Sequence, residues 1–298
     1  MGLRTRDRPT ESCRRLMAGA IAAKLLGPAE IRDLAELLGI QPTKKLGQNF
    51  VIDANTVRRI VRIAGVTDRM TVVEVGPGLG SLTLGLLETG ARVIAVEIDA
   101  RLAAQLPHTV EAAAPDAELM VVTADALSIT TLDPVPNVLV ANLPYNVSVP
   151  VLLHFLQIFP TLESGVVMVQ AEVGQRLAAA PGSKIYGSPS AKAAWYGHFR
   201  LVGNVSRQVF WPVPGVDSVL VGFERHEAPG TDDERRETFA LIDAAFQQRR
   251  KMLRQSLSSV LGDSATASAR LEAAGLAPTA RGEELTVSDF LKIARAES

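Results

Sequence analysis

TVVEVGPGLGSLTLGLLETGARVIAVEID, residues 71–99, decides the fold. Thr71–Val75 is a short apolar run rich in β-branched residues, the composition of a buried strand. Gly76-Pro77-Gly78-Leu79-Gly80 follows at once, and SLTLGLLETG (81–90) then reads as a helix closed by Gly90. RVIAVEID (92–99) is the next strand. A strand, a glycine turn, a helix and a further strand form the repeating unit of a parallel sheet covered by helices.

The alternation continues outward from there. ARLAAQL (100–106) is a helix, ELMVVTAD (118–125) and NVLVAN (137–142) are strands, and VPVLLHFLQIF (149–159) is a helix. SGVVMVQAE (164–172), FRLVGNVS (199–206) and DSVLVGFER (217–225) supply further strands. A Pro-rich loop, with no helix, separates the last two, which predicts an antiparallel pair at one edge of the sheet. Upstream, PAEIRDLAELLGI (28–40) reads as a short amphipathic helix with Pro28 in its first turn and Ile31, Leu34, Leu37 and Leu38 on one face. Downstream, HEAPGTDDE (226–234) reads as a linker. Beyond it Phe239, Ile242, Phe246, Leu253, Leu257 and Val260 recur at helical spacing, and Ser288 is the expected N-cap of a last helix. The expected division is a mobile N-terminal extension over 1–27, an α/β domain over 28–229 and a small helical domain over 230–298.

Composition bounds the function. The chain has 298 residues, 47% hydrophobic and 21% charged, which is ordinary globular material. Its net charge of −1 means that any nucleic-acid surface must be a local patch. The single cysteine, Cys13, excludes an intrachain disulfide and fits a reducing, cytoplasmic setting. The four histidines are scattered, so no metal site is expected. No apolar run reaches the roughly 18 residues of a membrane span. The N-terminal stretch is a poor signal peptide: Lys24 interrupts its apolar part, and Asp7 and Glu11 lie in its basic part. Met17 is a sensible alternative start.

The glycines and carboxylates mark a ligand edge. Glycines between a strand and a helix let the backbone approach a ligand beside free helix N–H groups. Glu97 ends the next strand 21 residues after Gly76, the spacing at which a carboxylate can accept hydrogen bonds from ribose hydroxyls. A nicotinamide cofactor is one reading, but its glycine pattern would need a glycine at 81, where Ser81 stands. S-adenosylmethionine, which has no pyrophosphate to cradle, is another, and a tight turn without a ligand is the plain alternative. Asp125 ends the third strand at the same edge, where a lone aspartate is more often a helix cap.

VLVANLPYNVSVP (138–150) ends the fourth strand in Asn142-Leu143-Pro144-Tyr145. The N6 nitrogen of adenine is a poor nucleophile because its lone pair is delocalised into the ring. A side-chain amide oxygen and a backbone carbonyl can accept its two N–H bonds, proline stiffens the carbonyl, and an aromatic face can stack on an extruded base. Such a site would work by positioning, without a strong base. An ordinary turn with a packed tyrosine is equally compatible with the tetrapeptide alone.

Five motifs in order resemble the ribosomal RNA adenine N6-dimethyltransferases of the KsgA type, across residues 30–295. They are KKLGQNFVID (44–53), EVGPGLGSLT (74–83), NLPYNVSVP (142–150), VFWPVPGVDSVLV (209–221) and FQQRRKMLRQSL (246–257). Val51 stands where leucine is usual and Val149 where threonine is common. The resemblance implies a Rossmann-like S-adenosylmethionine-dependent methyltransferase sheet with a small C-terminal helical domain. By the same resemblance Asn49, Val51, Gly76, Gly78, Glu97, Asp125 and Asn142 would line the cofactor site. Asn142 and the carbonyls of Leu143 or Pro144 would engage N6, and Tyr145 and Phe210 would flank the base. Arg249, Arg250, Lys251 and Arg254 form the densest basic cluster and Lys44 and Lys45 a second; lying in matched motifs, they are expected to contact RNA, with a solvated helix face as the plain alternative. The implied activity is dimethylation of two adjacent adenines in the 3′-terminal hairpin loop of small-subunit (16S) rRNA, on an immature 30S subunit, by a monomer in the cytoplasm. The alternatives are a large-subunit (23S) methyltransferase of the antibiotic-resistance class and a catalytically silent assembly factor. KIYGSPSAKAAWY (184–196) matches the family less closely, and Pro189 is expected to alter a loop near the substrate.

Overall fold

The computed structural model describes residues 23–40 and 49–296. The strands are β1 (Phe50–Val51), β2 (Thr71–Val75), β3 (Arg92–Glu97), β4 (Leu119–Thr123), β5 (Val138–Asn142), β6 (Ser164–Gln170), β7 (Gly197–Val205), β8 (Phe210–Trp211) and β9 (Ser218–Arg225). The chain forms two compact units. One comprises Met1–Asn142 with Gln208–Pro214, the other Leu143–Arg207 with Gly215–Ser298.

In the first unit β4, β3, β2 and β5 lie side by side in that order, all parallel. Val72 and Val73 of β2 and Val93–Ala95 of β3 are wholly buried, as expected of central strands with both faces covered. Helices α1 (Pro28–Leu37), α2 (Ala54–Ala64), α3 (Ser81–Leu87) and α4 (Ala100–Ala113) belong to this unit. Asp53 caps α2 by accepting from the Thr56 N–H at 2.8 Å, and Gly65 ends it in the left-handed region. Every residue of α3 is buried, so this helix has no solvent face.

Three expectations change here. On α1, Ile31 and Ala35 are buried, whereas Leu37 is 74% exposed. Helix α4 continues through Pro107, where the sequence pattern stops short of it. An interior proline costs about 3 kcal/mol, but Leu102, Ala103, Leu106, Thr109 and Val110 are all buried along this helix, and their packing offsets the loss. Finally, β1 and β8 pair antiparallel, Phe50 with Trp211 and Val51 with Phe210, and the rings of Phe50 and Trp211 stack at 6.4 Å. Two-residue strands are too short to show a periodicity, so the sequence does not reveal them. Residues 23–27, at the end of the expected extension, include Lys24, whose N–H donates to the Ala113 carbonyl at 3.2 Å.

In the second unit β9 lies between β6 and β7 and is antiparallel to both. Helices α5 (Ser148–Ile158), α6 (Ala171–Leu177) and α7 (Ser188–Ala193) precede α8 (Asp232–Gln247), α9 (Leu253–Ser256), α10 (Ser258–Leu261), α11 (Ser264–Ala273) and α12 (Val287–Arg295). Leu241, Ile242, Leu253, Leu271, Phe290 and Ile293 share one core with Tyr186 and Ala191, so the C-terminal helices pack on residues upstream of the expected linker. The Tyr186 hydroxyl donates to the Leu285 carbonyl at 2.9 Å. The last helix is capped by Thr286, in a reciprocal box with Asp289, two residues before the expected Ser288. Pro189 lies in the first turn of helix α7, just after Ser188, where its fixed φ suits the helix. The Arg225 guanidinium donates to the carbonyls of Leu156, Phe159 and Leu162, closing the C-terminal end of α5.

No helix among the described residues is long and apolar enough to cross a membrane.

Candidate active site

The parallel register brings the carboxyl ends of β2, β3, β4 and β5 to one edge of the first unit. Gly76, Gly78, Glu97, Asp125 and Asn142 all stand at that edge. The Gly76 N–H donates to the Val96 carbonyl at 2.9 Å, and the Ala124 N–H to the Glu97 carbonyl at 3.0 Å.

Gly76, Gly78 and Gly80 all have positive φ, +70°, +58° and +96°. Gly78 and Gly80 are needed for a second reason. A Cβ on Gly78 would stand 2.9 Å from Phe50 Cε1, and one on Gly80 would stand 2.8 Å from Leu106 Cδ1. At these two positions the missing side chain makes room for the protein's own packing. The loop is a rigid turn that ends by starting α3.

Glu97 is 5% exposed. Its Oε2 accepts from the Gly78 N–H at 3.1 Å and its Oε1 from the Asp99 N–H at 3.0 Å. Burial pushes its carboxyl up; the backbone donors of Asp99, Gly78 and Ile98 pull it down. Each oxygen carries two lone pairs, so the two backbone bonds orient the carboxylate and leave acceptor capacity for a pair of vicinal hydroxyls.

Glu74 escapes the sequence reading. It is 1% exposed, accepts from Thr83 Oγ1 at 2.6 Å, and burial pushes its carboxyl up to about 8. The available signal was a lone acidic residue inside an otherwise apolar central strand.

Asp125 takes the commoner role of a cap: its Oδ1 accepts from the Leu127 N–H at 2.9 Å and starts a short helical turn over Ala126–Ser128. Val51 is buried, and its carbonyl accepts from Ser81 Oγ at 2.7 Å, which ties β1 to the start of α3. Asn142 Nδ2 donates to the Asn49 carbonyl at 3.1 Å. That bond assigns the amide nitrogen to the protein, and among the described residues Oδ1, an acceptor, is left for something else. Phe210 is 1% exposed and offers no open ring face here.

The chain passes into the second unit at Leu143. The Leu143 N–H donates to the Met168 carbonyl on β6 at 3.1 Å, and the Val147 N–H to the Pro144 carbonyl at 3.2 Å, closing a turn with Tyr145 at its second position. The Tyr145 hydroxyl lies 2.8 Å from Ser218 Oγ, with either group able to donate. Burial raises the phenol above its ordinary range, opposed by the Ser218 bond.

Arg249, Arg250 and Lys251 lie in the turn after α8, and Arg254 lies on the short helix α9. Arg250 and Lys251 are exposed and Arg254 is half-buried. Arg249 is engaged internally, donating to Glu283 Oε2 at 2.6 Å and to the Lys184 carbonyl at 2.7 Å. Lys44 and Lys45 lie outside the described residues.

A family model described as ribosomal RNA adenine dimethylase matches residues 40–296. The chain is 71% identical over 274 residues to ribosomal RNA small subunit methyltransferase A of Leifsonia xyli subsp. xyli, covering 91% of this chain and 98% of the relative. It is 60% identical over 275 residues to the protein of the same name from Thermobifida fusca, covering 91% and 96%. Among solved structures, a dimethyladenosine transferase from Plasmodium falciparum superposes with a TM-score of 0.69 at 25% identity, covering 81% of this chain and 94% of that one. The 23S rRNA methyltransferase ErmE superposes with a TM-score of 0.61 at 24% identity, covering 83% and 98%, a likeness of fold.

Proposed function

This chain belongs to the ribosomal RNA adenine dimethylase family, and on that premise we propose that it dimethylates N6 of two adjacent adenines in the 3′-terminal hairpin loop of small-subunit (16S) rRNA. It is an S-adenosylmethionine-dependent rRNA adenine dimethyltransferase with a Rossmann-like α/β fold. The finer reading places it in the cytoplasm, acting as a monomer on an immature 30S subunit, with residues 230–298 as the RNA-contacting helical domain.

The observation that carries the reading is the amide of Asn142. With its nitrogen committed to the Asn49 carbonyl, its oxygen is the group presented at the strand end, and an acceptor is what the N6–H of adenine requires. Acceptance of that hydrogen bond draws the nitrogen toward a tetrahedral shape and frees its lone pair. The carbonyls of Leu143 or Pro144 would take the second N–H, and Tyr145 would stack on the base. S-adenosylmethionine, when bound, supplies an electrophilic sulfonium methyl group. Glu97 fits its ribose, since both carboxylate oxygens are fixed by backbone donors and keep open lone pairs. Gly76 and Gly78 would border the cofactor, with Asn49, Val51 and Asp125 beside it. No strong base is needed: N6 becomes acidic once alkylated, and water can take its proton. Phe210 would have to leave its buried position before it could touch a base. Arg250, Lys251 and Arg254 are the basic residues best placed for phosphates, with Lys44 and Lys45 as further candidates and Arg249 acting through its fold-stabilising contacts.

The test is methyl transfer from labelled S-adenosylmethionine to under-methylated small and large subunits, followed by nucleoside analysis. N6,N6-dimethyladenosine in the small subunit alone is expected. Label in the large subunit would assign the chain to the resistance class, and cofactor binding without label in either would favour an assembly role.

A further inference from the structure

We infer that Ser218 is a positioning residue for methyl transfer, acting through the hydroxyl of Tyr145. The inference rests on the proposal that Tyr145 is the platform for the target base. Stacking requires the ring plane to be held at one angle. A tyrosine on a β-turn is fixed at its backbone but remains free to rotate about its two side-chain torsions.

The backbone is held twice, at Leu143 by the Met168 carbonyl and at Val147 by the Pro144 carbonyl. The remaining freedom is at the ring, and the 2.8 Å contact to Ser218 Oγ removes it at the far end of the side chain. Ser218 suits that task. It is 1% exposed and is the first residue of β9, paired with Gln170 of β6 on one side and Val205 of β7 on the other. Its neighbour Asp217 is also tied on both sides, accepting from the Ala171 N–H at its carbonyl and from the Arg207 N–H at its side chain. The hydroxyl is thus mounted on a buried strand residue paired on both sides, while Tyr145 is only half-buried. A phenylalanine at 145 would stack equally well, so the hydroxyl contributes orientation, not surface.

The experiment is a double-mutant cycle with Ser218→Ala, Tyr145→Phe and the double variant, plus Ser218→Thr and Tyr145→Ala, measured as kcat and KM on under-methylated small subunits. Loss of one orienting hydrogen bond is expected to lower kcat about three- to tenfold. KM for S-adenosylmethionine should stay unchanged. The double variant should be no slower than the slower single one, and Ser218→Thr should restore most of the rate. Multiplicative losses in the double variant would overturn the inference. So would a full rate for both Ser218→Ala and Tyr145→Phe alongside a slow Tyr145→Ala, which would leave the platform reading intact. A full rate for Tyr145→Ala would overturn the platform reading itself. Tyr145→Phe leaves the sheet untouched, so it decides the question even where Ser218→Ala folds poorly.

Discussion

Replacing Glu74 by Gln should make the protein more stable at pH 8 than the natural sequence, and should barely change it at pH 5. Glu74 is wholly enclosed in β2, with Thr83 Oγ1 donating to it and its carboxyl held up at about 8, chiefly by burial and in part by the charge of Glu97. The unfolded chain ionises this group near the ordinary carboxylate value of 4.5. Between those two values the native state keeps a proton that the unfolded state gives up, so stability falls as pH rises. The contribution is fully present below about 4.5, declines through neutrality, and is spent above about 8. At about 1.4 kcal/mol per pH unit, the interval corresponds to roughly 5 kcal/mol as a ceiling. Glutamine keeps the acceptor for Thr83 and carries no titrating proton. The variant is therefore expected to match the natural protein within about 1 kcal/mol at pH 5 and exceed it by about 3–5 kcal/mol at pH 8. Urea unfolding at half-unit steps from pH 5 to 8 measures this directly. Two curves separated by a constant offset would refute the reasoning, because Glu74 would then be ionised in the native state.

Gly78→Ala should lose about 2–4 kcal/mol, since it combines a left-handed backbone with a side chain pressed on the Phe50 ring; a thermal midpoint unchanged within error would contradict this. Arg225→Met should lose about 2–4 kcal/mol by leaving three carbonyls, at the end of α5 and in the turn beyond it, without their donor, and early amide exchange in residues 148–162 would locate the loss. Glu97→Ala should weaken S-adenosylmethionine binding while leaving RNA affinity near normal, whereas equal weakening of both would count against a ribose-binding role. Charge reversal at Arg250 and Lys251 should reduce subunit binding and flatten its dependence on salt; an unchanged slope would move the RNA surface elsewhere.

The alternating core was legible because its elements are long enough to show their periods. The parallel order follows from that pattern, as does the antiparallel pair around the Pro-rich loop. What was not legible depends on contacts remote in sequence. Phe50–Val51 becomes a strand only because Phe210–Trp211 lies beside it. Helix α4 outlasts Pro107 because its neighbours bury five of its side chains. At the candidate site the spacing of Gly76, Glu97 and Asn142 was readable, since strand ends in register bring such residues to one edge. The demand that Phe50 and Leu106 place on Gly78 and Gly80 was not. Nor was the engagement of Arg249 by Glu283, which removes one cation from a cluster that looks uniform in the sequence.

The pairing of β1 with β8 has a consequence for how this protein can be taken apart. The chain leaves the first unit after Asn142 and comes back to it for Gln208–Pro214 alone. A fragment ending at Asn142 would hold all four parallel strands yet lack Trp211 against Phe50, and the Val209 carbonyl that receives the Ile52 N–H. Gly78, whose turn is shaped around the Phe50 ring, would lose its template as well. The first unit is therefore not a cassette. A graft between relatives has to carry the returning heptapeptide with it, and a proteolytic cut between 143 and 207 would leave a nicked protein whose first unit still depends on the downstream piece.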